Sequence, residues 1–183
     1  MWACEGRLVK KTIGIVLILV VFAVVFWFTQ RTGPADSIAS APEGSAPATS
    51  AIPADATEAV VDYVHDGDTI FLTDGRKVRM LGINTPEIGE HAECYGDEAT
   101  ALTRALLPEG THVWVQHDVE PLDQYGRSLL FVYTDDGTNV NLELLREGAA
   151  EVEMYTPNVL LRDEVYAAED AARNADLGLW AAC

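Results

Sequence analysis

The apolar residues of this 183-residue chain follow three patterns. An unbroken apolar run extends from Ile13 to Phe28, a stretch without apolar periodicity follows from Gly33 to about Thr57, and short alternating segments fill the remainder. Since the run is apolar on all sides, it suits a bilayer or a translocon better than the surface of a globular core. The pattern predicts an N-terminus (1–11), an apolar helix (12–30), a disordered Ala/Pro/Ser linker (31–57) and one domain (58–183).

The charges on the two sides of the apolar run predict its orientation. Arg7, Lys10 and Lys11 precede the run, whereas only Arg31 follows it closely. Basic residues are retained on the cytoplasmic side, so we expect residues 58–183 to lie outside the cytoplasm. A run of about 18 residues is short for an anchor and long for a signal-peptide core, and both remain open. We favour a single-pass membrane anchor, with secretion after cleavage as the alternative.

Beyond the linker, short segments rich in β-branched and aromatic residues alternate with turn signals. The candidate strands are EAVVDYVH (58–65), DTIFLT (68–73), RKVRMLGI (76–83), THVWVQH (111–117) and SLLFVYT (128–134). Helical spacing occurs in Asp97–Leu107, Val140–Arg146 and about Val159–Ala175. Gly148 and Gly178 are suitable C-terminal stops for the last two helices. The pattern predicts a mainly β domain, an OB-fold five-stranded Greek-key barrel plus about three helices, although a small α+β sandwich would give a similar pattern.

Three polar motifs lie at the ends of these segments. They are HDGDT (65–69), RMLGINTPE (79–87) and DQYGR (123–127). In this order and at these separations they resemble the staphylococcal nuclease (thermonuclease) family, and the resemblance runs from about Val60 to Trp180. It implies an OB-fold barrel with three helices and a calcium-dependent phosphodiesterase. Such an enzyme cuts DNA and RNA with low sequence specificity and leaves 3′-phosphate ends.

Three charged residues match the family's catalytic positions: Arg79, Glu87 and Arg127. Guanidinium groups offer forked donors that suit two phosphate oxygens, and they stay charged at any working pH. A carboxylate close to a bound cation stays ionised, as a general base or a water-orienting residue must. Taken singly, each residue has an ordinary explanation as a strand, turn or loop charge.

Three further residues match positions that hold Ca²⁺: Asp68, Asn84 and, through its backbone carbonyl, Thr85. Hard oxygen ligands suit this ion. The family usually has aspartate at the position of Asn84, and we therefore expect weaker calcium binding. Tyr125 and Tyr155 match substrate-binding positions that contact the terminal phosphate and stack on a base. Stacking tolerates any base, which accords with low sequence specificity.

The charge of the domain opposes the binding of a polyanion. The net charge is −17, and all of it falls on residues 58–183, because the basic and acidic residues before them cancel. Gln124 stands where the family often has lysine and Glu153 where it often has tyrosine, so the groove attracts anions less. One interpretation is a nuclease that relies on abundant calcium and screening salt. The alternative is a catalytically weak or inactive module that binds nucleic acid or a protein partner at the cell surface.

Two of the three cysteines, Cys94 and Cys183, lie in the predicted exported part, whereas Cys4 lies on the other side of the membrane. In an oxidising compartment we expect these two to form a disulfide that pins residue 183. We expect a monomer that acts on DNA and RNA and contacts the membrane through its N-terminal segment.

Overall fold

The computed structural model describes residues 51–183. The predicted N-terminus (1–11), the predicted apolar helix (12–30) and residues 31–50 of the predicted linker lie outside the described residues. Within the described part, no helix has the length and apolar character needed to cross a bilayer.

Short strands and helices alternate along residues 51–183. The strands are β1 (Thr57–Val64), β2 (Thr69–Leu72), β3 (Lys77–Met80), β4 (Gly82–Asn84), β5 (His112–Gln116), β6 (Ser128–Thr134) and β7 (Glu151–Glu153). The helices are α1 (Gly96–Leu106), α2 (Val140–Arg146), α3 (Arg162–Asn174) and the short α4 (Leu179–Ala182). A 3-10 turn at Gly89–His91 precedes α1. The three longer helices agree with the predicted ones, except that α3 begins at Arg162 rather than at Val159.

Five strands close a barrel in the order β1-β2-β3-β6-β5. Neighbouring strands are antiparallel except for β3 and β6, which run parallel and close the barrel. Side chains alternate along a strand, so every second position faces the interior. The fully buried core includes Val61, Ile70, Val78, Val113 and Val132. This architecture confirms the predicted OB-fold barrel with three helices.

The sequence predicts one strand over residues 76–83, whereas the structure has two. The chain turns at Gly82, whose φ of +78° favours glycine, and β4 leaves the barrel there. β4 pairs with β7 in a separate antiparallel sheet, with Gly82 opposite Glu153. Neither strand of this sheet exceeds three residues, which is too short to show an alternating pattern. The small sheet therefore appears only in the structure.

Asn141, fully buried in α2, joins the two parts of the barrel that carry the predicted site. Its side-chain amide donates to the carbonyl of Leu81 at 2.8 Å, and its carbonyl oxygen accepts from the backbone N–H of Val132 at 3.0 Å. Leu81 follows β3 and Val132 lies in β6, so one side chain ties the two strands at their parallel junction. This contact fixes Arg79, in β3, relative to Arg127, which precedes β6.

A disulfide joins Cys94, in the loop before α1, to Cys183. Their Cα atoms are 5.9 Å apart, and 89 positions separate them in the sequence. The bond holds residue 183 against the loop that leads into α1. This loop also carries Glu87.

Candidate active site

A cavity of about 620 Å³ brings together most of the residues predicted to carry the chemistry. Its walls come from β3 and β4, from the segment before β6, and from β7 with the residues that follow it. Six predicted site residues line it: Arg79, Asn84, Glu87, Tyr125, Arg127 and Tyr155. Asp68 and Thr85 are both buried and do not line the cavity.

Asp68 is a buried anion next to Arg79. It is 6% exposed and lies immediately before β2. In this turn, Asp66 Oδ1 accepts from the backbone N–H groups of Asp68 and Thr69. Its Oδ2 accepts from the backbone N–H and the hydroxyl of Thr85, at 2.9 and 3.1 Å, and lies 3.0 Å from Arg79 Nη1. Burial raises the pKa of Asp68, against the opposing effects of Arg79 and Thr85. Asp68 and Thr85 thus form a buried support for Arg79.

Both terminal nitrogens of Arg79 already have acceptors within the chain. Nη1 donates to the carbonyls of Ile83 at 2.8 Å and Met80 at 3.3 Å. Nη2 donates to Asn84 Oδ1 and Glu153 Oε2, each at 2.9 Å. The side chain is only 13% exposed. The guanidinium is therefore held firmly, and the amide oxygen of Asn84 faces it.

Glu153, in β7, contacts two predicted site residues at once. Its Oε2 meets Arg79 Nη2 at 2.9 Å, while its Oε1 accepts from the hydroxyl of Tyr155 at 2.8 Å. This hydrogen bond and the negative charge of Glu153 raise the pKa of Tyr155. The sequence indicates that Glu153 adds a negative charge to the groove, but not that it touches Arg79. That contact spans 74 positions and depends on the β4–β7 pairing.

Arg127 is held by a local turn. Its Nε donates to Asp123 Oδ2 at 2.6 Å, and Asp123 Oδ1 accepts from the backbone N–H groups of Tyr125 and Arg127, each at 2.9 Å. Gly126, with a φ of +80°, completes the turn. The guanidinium carbon lies 5.6 Å from the centre of the Tyr125 ring. Nη1 and Nη2 of Arg127 donate no hydrogen bond to another residue of the 51–183 segment, so they are available to an anion.

Glu87 presents an exposed carboxylate to the cavity from a fixed backbone. Its carbonyl accepts from the backbone N–H of Glu93 at 2.9 Å, and its own N–H donates to Glu93 Oε2 at 3.0 Å. Gly96 packs against the same carbonyl so closely that a Cβ at this position would overlap it. The disulfide of Cys94 holds the residue next to Glu93. A carboxylate that makes no ion pair within residues 51–183 and stands on a fixed backbone suits a general base.

The predicted calcium ligands are suitable in kind. Asp68 and Asn84 offer carboxylate and amide oxygens, Thr85 adds a backbone carbonyl, and Ca²⁺ takes such hard ligands. Residues 51–183 contain no cluster of three or more acidic, histidine or cysteine side chains that could hold a metal ion by themselves. Asp68 Oδ2 and Asn84 Oδ1 both contact Arg79. The donor types suit a hard cation, which would share Asp68 and Asn84 with Arg79 and would have Asp68 as its one carboxylate.

A family model described as staphylococcal nuclease homologue matches residues 77–182, more than half of the chain. The chain belongs to the staphylococcal nuclease family. The matched range contains both arginines, Glu87 and the whole cavity wall from β3 to the segment after β7.

Three proteins similar to this chain have names that describe nucleases. The chain is 29% identical over 178 residues to a thermonuclease of Staphylococcus intermedius, covering 93% of this chain and 98% of that protein. It is 35% identical over 127 residues to Endonuclease YncB of Bacillus subtilis (strain 168), covering 66% of this chain and 60% of that protein. It is 33% identical over 137 residues to Endonuclease YhcR of the same strain, where the match covers 67% of this chain but only 11% of YhcR.

Two acidic residues, Asp123 and Glu153, hold the arginines of this staphylococcal nuclease family member through contacts that sequence reasoning did not predict. Asp123 could have been found from local sequence, because aspartate at the start of a turn often accepts backbone hydrogen bonds, and Gly126 marks that turn. The contact of Glu153 could not have been found in this way, since its partner Arg79 lies 74 positions away in a distant strand. Gly96 also constrains the site through the backbone of Glu87, and its role requires knowledge of packing.

Proposed function

We propose that residues 58–183 are a calcium-dependent endonuclease domain that hydrolyses phosphodiester bonds in DNA and RNA. The proposal includes low sequence specificity and 3′-phosphate products. The observation that carries it is the single cavity lined by Arg79, Arg127 and Glu87. Two guanidinium groups and an exposed carboxylate around one space are the groups that phosphodiester hydrolysis needs. The names of the nuclease relatives support the same reaction class.

The proposed role of each side chain follows from the charge that develops during hydrolysis. Attack of water on a phosphodiester places additional negative charge on the phosphoryl oxygens, and pre-positioned cationic donors stabilise it. Arg127 offers terminal N–H groups that no other residue of the described part accepts from, and Arg79 offers a second, firmly held guanidinium. Glu87 accepts a proton from the attacking water or orients that water. Tyr125 and Tyr155 are exposed and offer aromatic faces to bases of any type.

Asp68, Asn84 and the carbonyl of Thr85 are the residues that we propose to hold Ca²⁺. The ion would supply positive charge close to the reacting phosphate. Asn84 contributes no charge, so Asp68 is the one anion among the proposed ligands. Calcium affinity should therefore be limited, and a chain with a net charge of −17 should also benefit from added salt.

We also propose that the domain works outside the cytoplasm as a monomer, anchored through residues 12–30 or secreted after their cleavage. The basic residues before the apolar run support this orientation. The Cys94–Cys183 disulfide supports an oxidising compartment, because cytosolic thiols are kept reduced.

A cleavage assay on the purified chain tests the proposed reaction. End-labelled single-stranded DNA, duplex DNA and RNA are incubated with Ca²⁺ or with chelator, and the products are resolved by electrophoresis. We expect cleavage only with Ca²⁺, and a rate at least about 100-fold lower for Glu87→Gln, as is typical for loss of a general base. Glu90→Gln, an exposed glutamate in the same loop, is the matched control. Chelator-resistant cleavage, or full activity of the Glu87 variant, would contradict the mechanism.

The second candidate is a weak or inactive module that binds nucleic acid or a protein partner. The observation that favours it is the contact between Arg79 and Glu153. Of the two site arginines, only Arg127 then has terminal nitrogens without an acceptor within residues 51–183. This candidate predicts retention of labelled oligonucleotide without cleavage under every metal condition. Cleavage that requires Ca²⁺ and Glu87 would exclude it.

A further inference from the structure

We propose that Glu153 is a specificity-determining residue. Its carboxylate is bound by Arg79 and Tyr155, and a substrate phosphate must displace it to reach these two side chains. This inference rests on the proposed function, in which Arg79 binds substrate phosphate and Tyr155 contacts the substrate. The cavity that contains Arg79 and Tyr155 is also lined by Glu153.

The terminal nitrogens of Arg79, which already donate four hydrogen bonds, can bind a further anion only if one of their present acceptors leaves. Two acceptors are the backbone carbonyls of Met80 and Ile83, which the β3–β4 turn fixes. Asp68 is buried at 6% exposure and held by Thr85, so it cannot move away. The two acceptors on Nη2 are the neutral amide of Asn84 and the carboxylate of Glu153. The side chain of Glu153, at 35% exposure, is the charged acceptor that can swing out.

The two oxygens of Glu153 are bound in the way that two oxygens of a phosphate would be. One accepts from a guanidinium nitrogen at 2.9 Å and the other from a tyrosine hydroxyl at 2.8 Å. Guanidinium groups bind carboxylate and phosphate through the same forked donors. The carboxylate is therefore an intramolecular competitor for the phosphate position.

The backbone of Glu153 cannot leave with its side chain. The neighbouring Val152 donates its N–H to Glu169 Oε1 at 2.7 Å, and Glu169 is buried in α3. Glu153 itself lies opposite Gly82 in the β4–β7 sheet. A displaced Glu153 carboxylate consequently remains at the cavity and repels the phosphate that replaced it.

This repulsion discriminates between phosphate groups by charge. A phosphodiester carries one negative charge, whereas a terminal phosphomonoester carries about 1.5 to 2 at neutral pH. Glu153 therefore disfavours phosphorylated chain ends more than internal diesters. It should weaken the binding of a 3′-phosphorylated product relative to uncut strand.

Oligonucleotide binding to the full chain tests the proposal. All proteins carry Glu87→Gln so that the probe stays intact, which electrophoresis verifies, and Ca²⁺ is present. The probes are fluorescein-labelled single-stranded DNA with and without a 3′-phosphate, titrated by fluorescence anisotropy. Glu153→Gln should lower Kd about tenfold for the probe with a 3′-phosphate and about threefold for the probe without it. A tenfold change in Kd is of the order of one charge-assisted hydrogen bond. Glu153→Ala should act in the same direction, and thermal unfolding verifies that both variants are folded.

Glu151→Gln is the matched control, because Glu151 is exposed in the same strand and makes no ion pair within residues 51–183. It removes the same charge and should change Kd less than about twofold, as expected for a solvated surface charge. Equal effects of the two glutamine variants, weaker binding by Glu153→Gln, or an equal gain for both probes would overturn the proposal. If the wild-type chain cleaves nothing while Glu153→Gln still gives the expected pattern, the nuclease proposal fails and the role of Glu153 stands.

Discussion

Arg79 and Arg127 line the same cavity, but the fold holds them in different ways. Arg79 lies in a barrel strand at 13% exposure, between the carboxylates of Asp68 and Glu153. Arg127 lies in a turn at 27% exposure and pairs with Asp123, only four positions earlier. The partners of Arg79 belong to β4, β7 and the turn before β2, whereas the turn of Arg127 supplies its own partner.

The difference shows that one arginine can support the fold of the site while the other is positioned mainly to bind an anion. Arg79 neutralises buried negative charge, so the fold depends on it whether or not substrate is present. Arg127 is positioned by its own turn, and its terminal nitrogens are not used within the described part of the chain. Loss of Arg79 should therefore damage structure and chemistry together, while loss of Arg127 should impair chemistry much more than stability.

Replacement of each arginine by alanine should give the largest contrast. Arg79→Ala leaves the buried carboxylate of Asp68 without its cationic partner, and removal of one member of a buried pair costs about 3 kcal/mol or more. Arg127→Ala removes a more exposed pair and should cost about 1 kcal/mol or less. Urea unfolding at pH 7 measures both free energies. The same preparations should show strongly reduced cleavage for both variants.

Lysine substitutions complete this test. Lysine keeps the charge but lacks the planar fork that meets the acceptors around Arg79, so Arg79→Lys should recover only part of the lost stability. Arg127→Lys should unfold like the wild-type chain. Equal stability losses at the two positions would show that the surroundings of the two arginines do not differ in the way described.

The sequence predicts the Arg127 side of the site better than the Arg79 side. The barrel strands follow from alternation and turn residues, and the motif around Asp123 and Arg127 is complete within five positions. Local physical chemistry is sufficient there, because the hydrogen bonds join residues that are close in sequence.

The Arg79 side depends on contacts that no local pattern encodes. β7 is three residues long, and its pairing with β4 brings Glu153 to Arg79 across 74 positions. The bend at Gly82 is hidden within one apolar segment. The contact of Asn84 Oδ1 with Arg79 also joins β4 to β3 across that bend.

Glycine-to-alanine substitutions should lower the free energy of unfolding more on the Arg79 side of the site than on the Arg127 side, by a smaller margin than the arginine substitutions. A Cβ at Gly67 would overlap the side chain of Thr85, which supports Asp68, and overpacking of this kind costs about 2 to 3 kcal/mol. Gly126 has free space around a Cβ but a φ of +80°, so alanine there costs about 1 kcal/mol. Urea unfolding gives these costs. A calcium titration should show weaker binding for Gly67→Ala than for Gly126→Ala, and equal affinities would argue against a role of Thr85 and Asp68 in holding the ion.

The smallest expected effect is the pH dependence of the Asp123–Arg127 pair. Burial opposes ionisation of Asp123, but hydrogen bonds from Arg127 and Tyr125 outweigh it and lower its pKa below the ordinary 3.8. The ionised carboxylate therefore stabilises the fold above this value, and the contribution is lost as the pH falls through the lowered pKa. Asp123→Asn should be less stable than wild type by about 1 kcal/mol at pH 6, and the difference should shrink as the pH falls through the lowered pKa of Asp123. Urea unfolding across this range measures the difference, with Asp62→Asn, exposed in β1, as the control for loss of one charge. A difference that stays constant with pH would mean that Asp123 acts through the shape of the turn and not through its charge on Arg127.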